Sequence, residues 1–427
     1  MAEYYDQRTE TMPAPERERH LRHLLSKVLK HAYENAPAVR AMMDGAGVNP
    51  SRIKTLRDLA QLPILTRDRL IEQERESPPF AGYMAKRIED IEVVYVSPGP
   101  LYYPQGGPAW HRRQEQCMFT SGMRKGDIAI VTTSYHLVPA GLIFHNALAS
   151  FGVSVIPAGP GNTELQLNII RALQVTGIVA FPSFLMILVQ KARELGYDWR
   201  RDFCLRKAFL IGEVPSAATR QMWEEEYGIA TVQSYGFVPI GLVAYECEQK
   251  NGMHLADGSL LEIVDPATGS QLGPGECGEV VVTLTDEEFP LIRYGTGDLS
   301  CYTDEPCPCG RTSIRLLRIM GRVGEASKVR GMFIHPRQVE DALSQVPEVS
   351  RWTVVVGKSR YRDEITLRVE TKGGEADRGR LLPILEQRLP ELCHLRPDHV
   401  EFTAPGHIPD SENKIVLDLR KGRVAEV

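Results

Sequence analysis

Apolar residues recur at helical spacing near the start of the chain. Leu21, Leu24, Leu25, Val28, Leu29 and Ala32 share one face of residues 17–36, which predicts an amphipathic helix. From residue 91 the pattern becomes short apolar runs alternating with helical stretches. The runs over 127–132, 153–157, 177–181, 205–211 and 231–235 predict strands, and 163–174, 184–194 and 216–227 predict the helices between them. Strands alternating with helices imply a largely parallel sheet covered on both faces. From Gly258 the texture changes to short strands broken by turns, as in Val264-Asp265-Pro266 and Leu272-Gly273-Pro274-Gly275. That predicts a small β-rich subdomain over about 258–320. Beyond 321–325, a helix over 338–344, strands over 352–356 and 364–370, a helix over 378–388 and a strand over 399–402 follow. The expected fold class is therefore α/β, with a large N-terminal domain over 1–322 and a small α+β domain over 323–427.

Length supports the division, since 427 residues exceed what one compact core organises. The net charge of −5 carries no basic excess, which argues against a nucleic-acid partner. The longest apolar run, 180–189, contains Pro182 and Ser183 and falls far short of the roughly 20 residues of a membrane span. The opening residues, MAEYYDQRTE, are polar and lack the apolar core of a signal peptide. A cytoplasmic location without membrane association is the expectation. In that compartment the eight cysteines are not a disulfide frame, and the scattered ones read as small buried hydrophobes.

Four residues stand apart. Cys247 and His254 are separated by six residues, and Cys307-Pro-Cys309-Gly-Arg follows 52 residues later. Three thiolates and one imidazole suit a closed tetrahedral zinc site, which leaves no open position for water and reads as structural. The alternative is four reduced side chains without metal. Cys301 competes for the fourth place and ranks below His254.

The densest series runs from residue 276 to 340. It holds Arg293-Tyr294-Gly295-Thr296-Gly297-Asp298, then Cys307-Pro308-Cys309-Gly310, Gly321-Arg322, and Arg330-Gly331-Met332-Phe333-Ile334-His335-Pro336. This series resembles the nucleotide-binding and hinge region of the adenylate-forming ligases, and within them the phenylacetate-CoA ligase branch. Lys30-His31-Ala32-Tyr33-Glu34-Asn35-Ala36-Pro37, Thr55-Leu56-Arg57-Asp58-Leu59 and Leu62-Pro63-Ile64-Leu65-Thr66-Arg67 continue the likeness, which covers about Glu16 to Lys414. Some members of that branch have a similar Cys/His and Cys-Pro-Cys-Gly-Arg pattern that holds zinc.

The resemblance implies an adenylation-type N-terminal domain and a mobile C-terminal lid hinged near Gly324. It implies ATP or AMP as nucleotide and a small carboxylic acid as substrate. Asp298 matches the ribose-binding aspartate, a carboxylate able to accept from both vicinal hydroxyls, and the plain alternative is a turn aspartate. Arg322 matches the arginine near ribose and hinge. Ser234-Tyr235-Gly236 matches the end of the adenine strand, and Gly212-Glu213-Val214-Pro215 the loop along the adenine, consistent with ligands sitting beyond the carboxyl ends of parallel strands. Lys414, in Ile408-Pro409-Asp410-Ser411-Glu412-Asn413-Lys414, matches the lysine that neutralises charge at the α-phosphate. Asn413 replaces the usual glycine, and both residues tolerate a left-handed backbone. The acyl pocket falls on Ser134 to Gly141, with Tyr135, His136 and Gly141 as lining; His136 is equally readable as a core histidine. Dimers among relatives put a homodimer forward as the assembly to test.

Three departures fall on triphosphate and metal handling. The stretch matching the phosphate loop, residues 96–107, carries Pro98 and Pro100, which remove backbone donors, and lacks the threonines and lysine. Pro239 stands where a magnesium-binding carboxylate is expected, so the magnesium ligand is missing. Gly324-Glu325 replaces an acidic hinge pair. The favoured function is an ATP-dependent acid ligase that passes the acyl group to CoA or another acceptor. Two alternatives stay open: a degenerate homologue that binds AMP or acyl-adenylate without efficient ATP activation, and an amide-forming ligase that does not use CoA.

Overall fold

The computed structural model describes residues 3–97, 101–325, 327–329, 332–334, 336–344, 346–359, 362–393 and 396–419. The chain divides into two compact units, one of Met1–Glu276, Val280–Thr296 and Cys301–Arg318, the other of Cys277–Glu279, Gly297–Ser300 and Ile319–Val427.

Strands are numbered in chain order. Early in the chain lie β1 (Leu65–Thr66), β2 (Val93–Ser97) and β3 (Leu101–Gln105). The α/β region holds β4 (Ile128–Val131), β5 (Ser154–Pro157), β6 (Gly177–Ala180), β7 (Lys207–Leu210) and β8 (Ala230–Phe237). There follow β9 (Gly241–Glu246), β10 (Met253–Leu255), β11 (Ser259–Val264), β12 (Cys277–Leu284), β13 (Tyr294–Thr303) and β14 (Arg315–Arg322). One sheet runs β11-β12-β13-β14-β10-β9-β8-β7-β6-β4-β5, with β1 beside β13. Neighbours from β5 through β8 are parallel, whereas β8–β9, β9–β10 and β10–β14 are antiparallel. The central parallel strands β4, β6 and β7 are buried on both faces. Ala129, Ile130, Val131, Ile178, Val179, Ala180, Phe209 and Leu210 have no measurable exposure, as expected where helices cover both sides.

The first long helix spans Ala14–Asn35 and buries Leu25, Val28, Leu29 and Ala32, four of the six residues that define its apolar stripe. The stretch likened to a phosphate loop is for the most part an antiparallel hairpin, β2 with β3, paired from Val93↔Gln105 to Ser97↔Leu101. Its connection, residues 98–100 with both prolines, lies outside the described residues.

The second unit adds β15 (Ser327–Val329) paired with β16 (Met332–Ile334), and a four-stranded sheet. That sheet comprises β17 (Val349–Ser359), β18 (Arg362–Thr371), β19 (His399–Thr403) and β20 (Ile415–Asp418), in the order β19-β18-β17-β20. Helices Pro336–Leu343 and Arg378–Cys393 accompany it, and Val339, Trp352, Leu367, Leu381 and Leu385 share its core. Among the described residues no helix is long and apolar enough to cross a membrane.

At the N-terminal ends of the parallel strands, Asp127 accepts from Lys207 Nζ at 2.7 Å, the Thr176 hydroxyl at 2.8 Å and the Arg124 N–H at 2.7 Å. Burial pushes its pKa up, but these donors outweigh burial and hold it below the usual carboxylate range. A depressed native pKa means that the stabilisation is present above the unfolded value of about 3.9 and is lost as pH falls through the native one. Asp127→Asn should therefore lower the unfolding temperature at pH 7, and the deficit should shrink in the same scan at pH 3–4. A deficit independent of pH would contradict this account.

Candidate functional site

In the first unit, the residues likened to the adenine side of a nucleotide site, 212–215 and 234–236, lie toward the opposite ends of the parallel strands. After β7 the chain turns at Gly212, whose φ is +70°. A Cβ there would lie 2.3 Å from the Phe181 ring, so the glycine lets that ring lie against the loop. Glu213 accepts from the Ser183 N–H at 2.9 Å and the Ser183 hydroxyl at 2.8 Å. This places its carboxylate in the first turn of helix Pro182–Glu194, where the helix dipole favours a negative charge. Gln233 Nε2 donates to the Glu213 carbonyl at 3.2 Å, tying loop to strand. Pro215 leads into helix Ala217–Glu225, capped by the Ser216 hydroxyl.

Ser234, Tyr235 and Gly236 lie in β8. The Ser234 hydroxyl is enclosed and has no hydrogen-bond partner among the described residues. Tyr235 is buried, its ring 5.5 Å from Phe237, which in turn stacks on Tyr294 at 5.9 Å and 13°. The β8–β9 register shifts between Tyr235 and Gly236. A Cβ on Gly236 would stand 2.5 Å from the Gly241 carbonyl and 2.8 Å from Leu242 Cα, so only glycine permits this approach. Pro239 sits in the turn joining β8 to β9, after a cis Val238–Pro239 bond.

Sequence reasoning missed what holds that turn. Arg113, on helix Pro108–Phe119, is fully buried and forms a bidentate pair with Asp286, 2.7 Å on each arm. It also donates to the carbonyls of Ile240 and Leu242 at 3.1 Å. An arginine in an amphipathic helix reads as a solvated position, and its partner lies 173 residues away; only burial identifies the pair.

In the second unit, Arg322 Nε lies 3.0 Å from Asp298 Oδ1. The neighbouring Gly297 N–H donates to Glu279 at 3.0 Å. Burial raises the Glu279 pKa, the Asp298 charge adds to it, and the Gly297 N–H opposes both. Lys414 Nζ rests 2.7 Å from Glu340 Oε1, while Glu340 Oε2 accepts from Trp352 Nε1 at 2.6 Å. Lys414 itself takes the left-handed backbone at φ +61°, whereas Asn413 is extended at φ −76°. The expectation that Asn413 stands in for glycine through a left-handed turn is corrected accordingly. Gly324 lies within a 3-10 turn, Val323–Glu325.

Of the expected acyl-pocket residues, Tyr135 is half-buried, its hydroxyl 3.5 Å from His145 Nδ1 and its pKa pushed up to about 12 by burial. Gly141 gives that ring room, since a Cβ would fall 2.7 Å from it. His136 is exposed, which overturns its reading as a core histidine.

The cysteine cluster assembles fully. Ligand atoms of Cys247, His254, Cys307 and Cys309 lie within 4.8 Å of one another, and all four residues are buried. Cys247 and Cys307 sulfurs are 3.8 Å apart, and Cys309 Sγ is 3.3 Å from His254 Nε2. A tetrahedral zinc with Zn–S of about 2.3 Å has edges of roughly 3.8 Å, so the donor set has the chemistry and the approximate spacing of such a site. Cys309 is held down to about 2 by the hydrogen bond from Cys247, with His254 and the Arg311 N–H adding to it against burial. Cys301, the competing ligand, is disulfide-bonded, so the cysteines are not all free as expected, and Cys204 is exposed rather than buried.

This knuckle also receives the start of the chain. The Tyr4 hydroxyl donates to the Cys309 carbonyl at 2.7 Å, and Arg311 pairs with buried Glu10 at 2.7 Å. The Thr312 hydroxyl donates to the Met12 carbonyl at 2.6 Å.

Residues 110–284 match the AMP-binding enzyme family, and residues 331–420 match the AMP-binding enzyme C-terminal domain. The chain is 31% identical over 452 residues to the phenylacetate-coenzyme A ligase of Thermus thermophilus, across 98% of this chain and 100% of that one. It is 31% identical to the phenylacetate-coenzyme A ligase of Escherichia coli, across 93% of each. Among solved structures it is similar to an open conformation of 2-hydroxyisobutyryl-CoA ligase in complex with 2-HIB-AMP and CoA. There the TM-score is 0.86, at 27% identity, covering 97% of this chain and 94% of that one.

The approach at Gly236 yields a direct test. Gly236→Ala should push β8 and β9 apart and cost about 1–3 kcal/mol by overpacking, read as a lower unfolding temperature. An unchanged melting curve would mean that the strands have slack here.

Proposed function

Because the chain belongs to the phenylacetate-coenzyme A ligase family of AMP-binding enzymes, we propose a residue-level reading of it as an ATP-dependent acid–CoA ligase. A carboxylate oxygen of the acid attacks the α-phosphorus of ATP, and pyrophosphate leaves. The CoA sulfur then attacks the acyl carbonyl of the adenylate, and AMP leaves. Neither step needs a covalent enzyme intermediate, so the chain contributes position and charge.

The observation that carries the residue assignments is the Asp298–Arg322 pair at 3.0 Å. Two residues singled out separately for the ribose meet, and a carboxylate steadied by a guanidinium is suited to accept from two vicinal hydroxyls. Tyr235 offers a buried aromatic face to the base, and residues 212–215 border it. Tyr135 and Gly141 belong to the acyl side, with Tyr135 kept neutral by burial. Lys414 neutralises charge at the α-phosphate once it exchanges Glu340 for the substrate. Exchange with a panel of acids identifies the acid, and CoA consumption separates a thiol acceptor from an amine.

A divalent cation does not fit where the family likeness would put one. Pro239 lines a small cavity with Asp286 and Glu288. Each carboxylate already has its own cation, Arg113 at 2.7 Å and Lys86 at 2.5 Å, so no step is routed through magnesium here. Pro239 also favours a second reading, in which the chain binds AMP or acyl-adenylate but activates free acids poorly. Cys247, His254, Cys307 and Cys309 would hold zinc as a closed structural site, cross-linking two loops and the docked N-terminal residues.

Acid-dependent ATP–pyrophosphate exchange tests the first step. Lys414→Ala should reduce it by about 10²–10³-fold, the scale of losing one charge-stabilising donor, while thioester formation from added acyl-adenylate survives. Absence of exchange with every aromatic and aliphatic acid, beside measurable AMP binding, would select the second reading. Metal analysis should find stoichiometric zinc, lost in Cys309→Ser together with several degrees of melting temperature; metal-free protein with an unchanged melting curve would refute the assignment.

A further inference from the structure

Buried charge marks a place the functional reading has not used. Arg113 has no solvent exposure and Asp286 has 6%. An unpaired guanidinium there would be strongly destabilising, so a chain keeps one only where its donors are all but fully engaged. Four of the five N–H bonds of Arg113 have partners. Two go to the Asp286 carboxylate, one to the Leu242 carbonyl and one to the Ile240 carbonyl.

The next residue of the same helix adds to the grip. Gln114 Oε1 accepts from the Leu242 N–H at 2.7 Å. Leu242 is thus held at both its N–H and its C=O by consecutive side chains. Gly241 takes φ +78°, and a Cβ there would stand 2.9 Å from the Gln114 amide, so the turn lies directly on that side chain. The Ile240 N–H donates back to the Phe237 carbonyl at 2.8 Å and closes the turn.

Leu242 pairs with Gly236 across the sheet, and the register shift falls between Gly236 and Tyr235. A bulge re-aims the side chain beside it. The order of contact is therefore Asp286, Arg113, Leu242, Gly236, Tyr235. We propose that Arg113 is a positioning residue for nucleotide recognition, fixing the β8–β9 bulge and through it the plane of the Tyr235 ring. This rests on the reading of Tyr235 as the face that receives the base. Lysine cannot replace arginine here, because a single ammonium cannot span two carboxylate oxygens and two carbonyls.

The test uses the full-length protein with AMP as ligand in calorimetry and ATP and acid as varied substrates in exchange. Arg113→Lys should weaken AMP binding and raise the KM for ATP by about tenfold, the scale of about one net hydrogen bond, with the KM for acid within twofold. Gln114→Met leaves the ion pair intact and removes one acceptor, so it should shift the same two constants in the same direction by a smaller factor. It carries the test alone if Arg113→Lys does not fold. Tyr235→Ala is the control on the underlying reading. Weakened AMP binding in Tyr235→Ala beside wild-type binding in both clamp variants overturns the positioning role and leaves the base site standing. Wild-type AMP binding in Tyr235→Ala overturns the base site, and the proposal with it. A uniform decline of AMP affinity, acid KM and kcat that follows melting temperature shows a merely structural pair and also overturns it.

Discussion

A guanidinium without water dictates much of the geometry around it. Once Arg113 is inside, a carboxylate must meet it, and backbone carbonyls must take the N–H groups that the carboxylate leaves over. Asp286, Ile240 and Leu242 supply those groups. The result fastens a helix, a β-turn and the segment after β12 to one point. That point lies where the sheet changes from parallel to antiparallel pairing, between β8 and β9. Loops follow the carboxyl ends of parallel strands and are free to become a site, but only if the strand beneath them is fixed. Here the turn after β8 is held from the helix side by Arg113 and Gln114.

The two ends of the parallel strands are stabilised by different chemistry. At the amino ends, Asp127 gathers Lys207, Thr176 and Arg124, a polar lock that consumes its charges. At the carboxyl ends the contacts are mostly steric and aromatic: Gly212 under Phe181, Gly236 against Leu242, Phe237 on Tyr294. Glycines and rings, unlike an ion pair, leave hydrogen-bonding capacity for something else. The enclosed Ser234 hydroxyl fits that division.

Periodicity made the α/β core readable because each parallel strand is a short apolar run bounded by turns. Expected runs over 127–132, 153–157 and 177–181 became Ile128–Val131, Ser154–Pro157 and Gly177–Ala180, differing by one residue at one or both ends. The hairpin of β2 and β3 escaped because its prolines and glycines read as loop, while its pairing depends on contacts across the turn. Asp298 and Arg322 were picked out by the family likeness and the four cysteine and histidine ligands by residue type and spacing, whereas the contact between Asp298 and Arg322 comes from the structure. Arg113–Asp286 and Glu10–Arg311 were not legible, since their partners are 173 and 301 residues apart and each residue alone resembles a surface charge. The left-handed Lys414 was equally hidden, as backbone angle at one residue leaves no trace in composition.

Glu340 serves two donors at once, the Lys414 ammonium on one oxygen and the Trp352 indole N–H on the other. Indole emission responds to the charge and hydrogen bonding of its N–H. If Lys414 exchanges Glu340 for a phosphate, as proposed, that carboxylate is left bare beside the ring. With four tryptophans in the chain, one of them thus sits as an intrinsic optical gauge of the lysine's whereabouts, readable in a stopped-flow cuvette without a label.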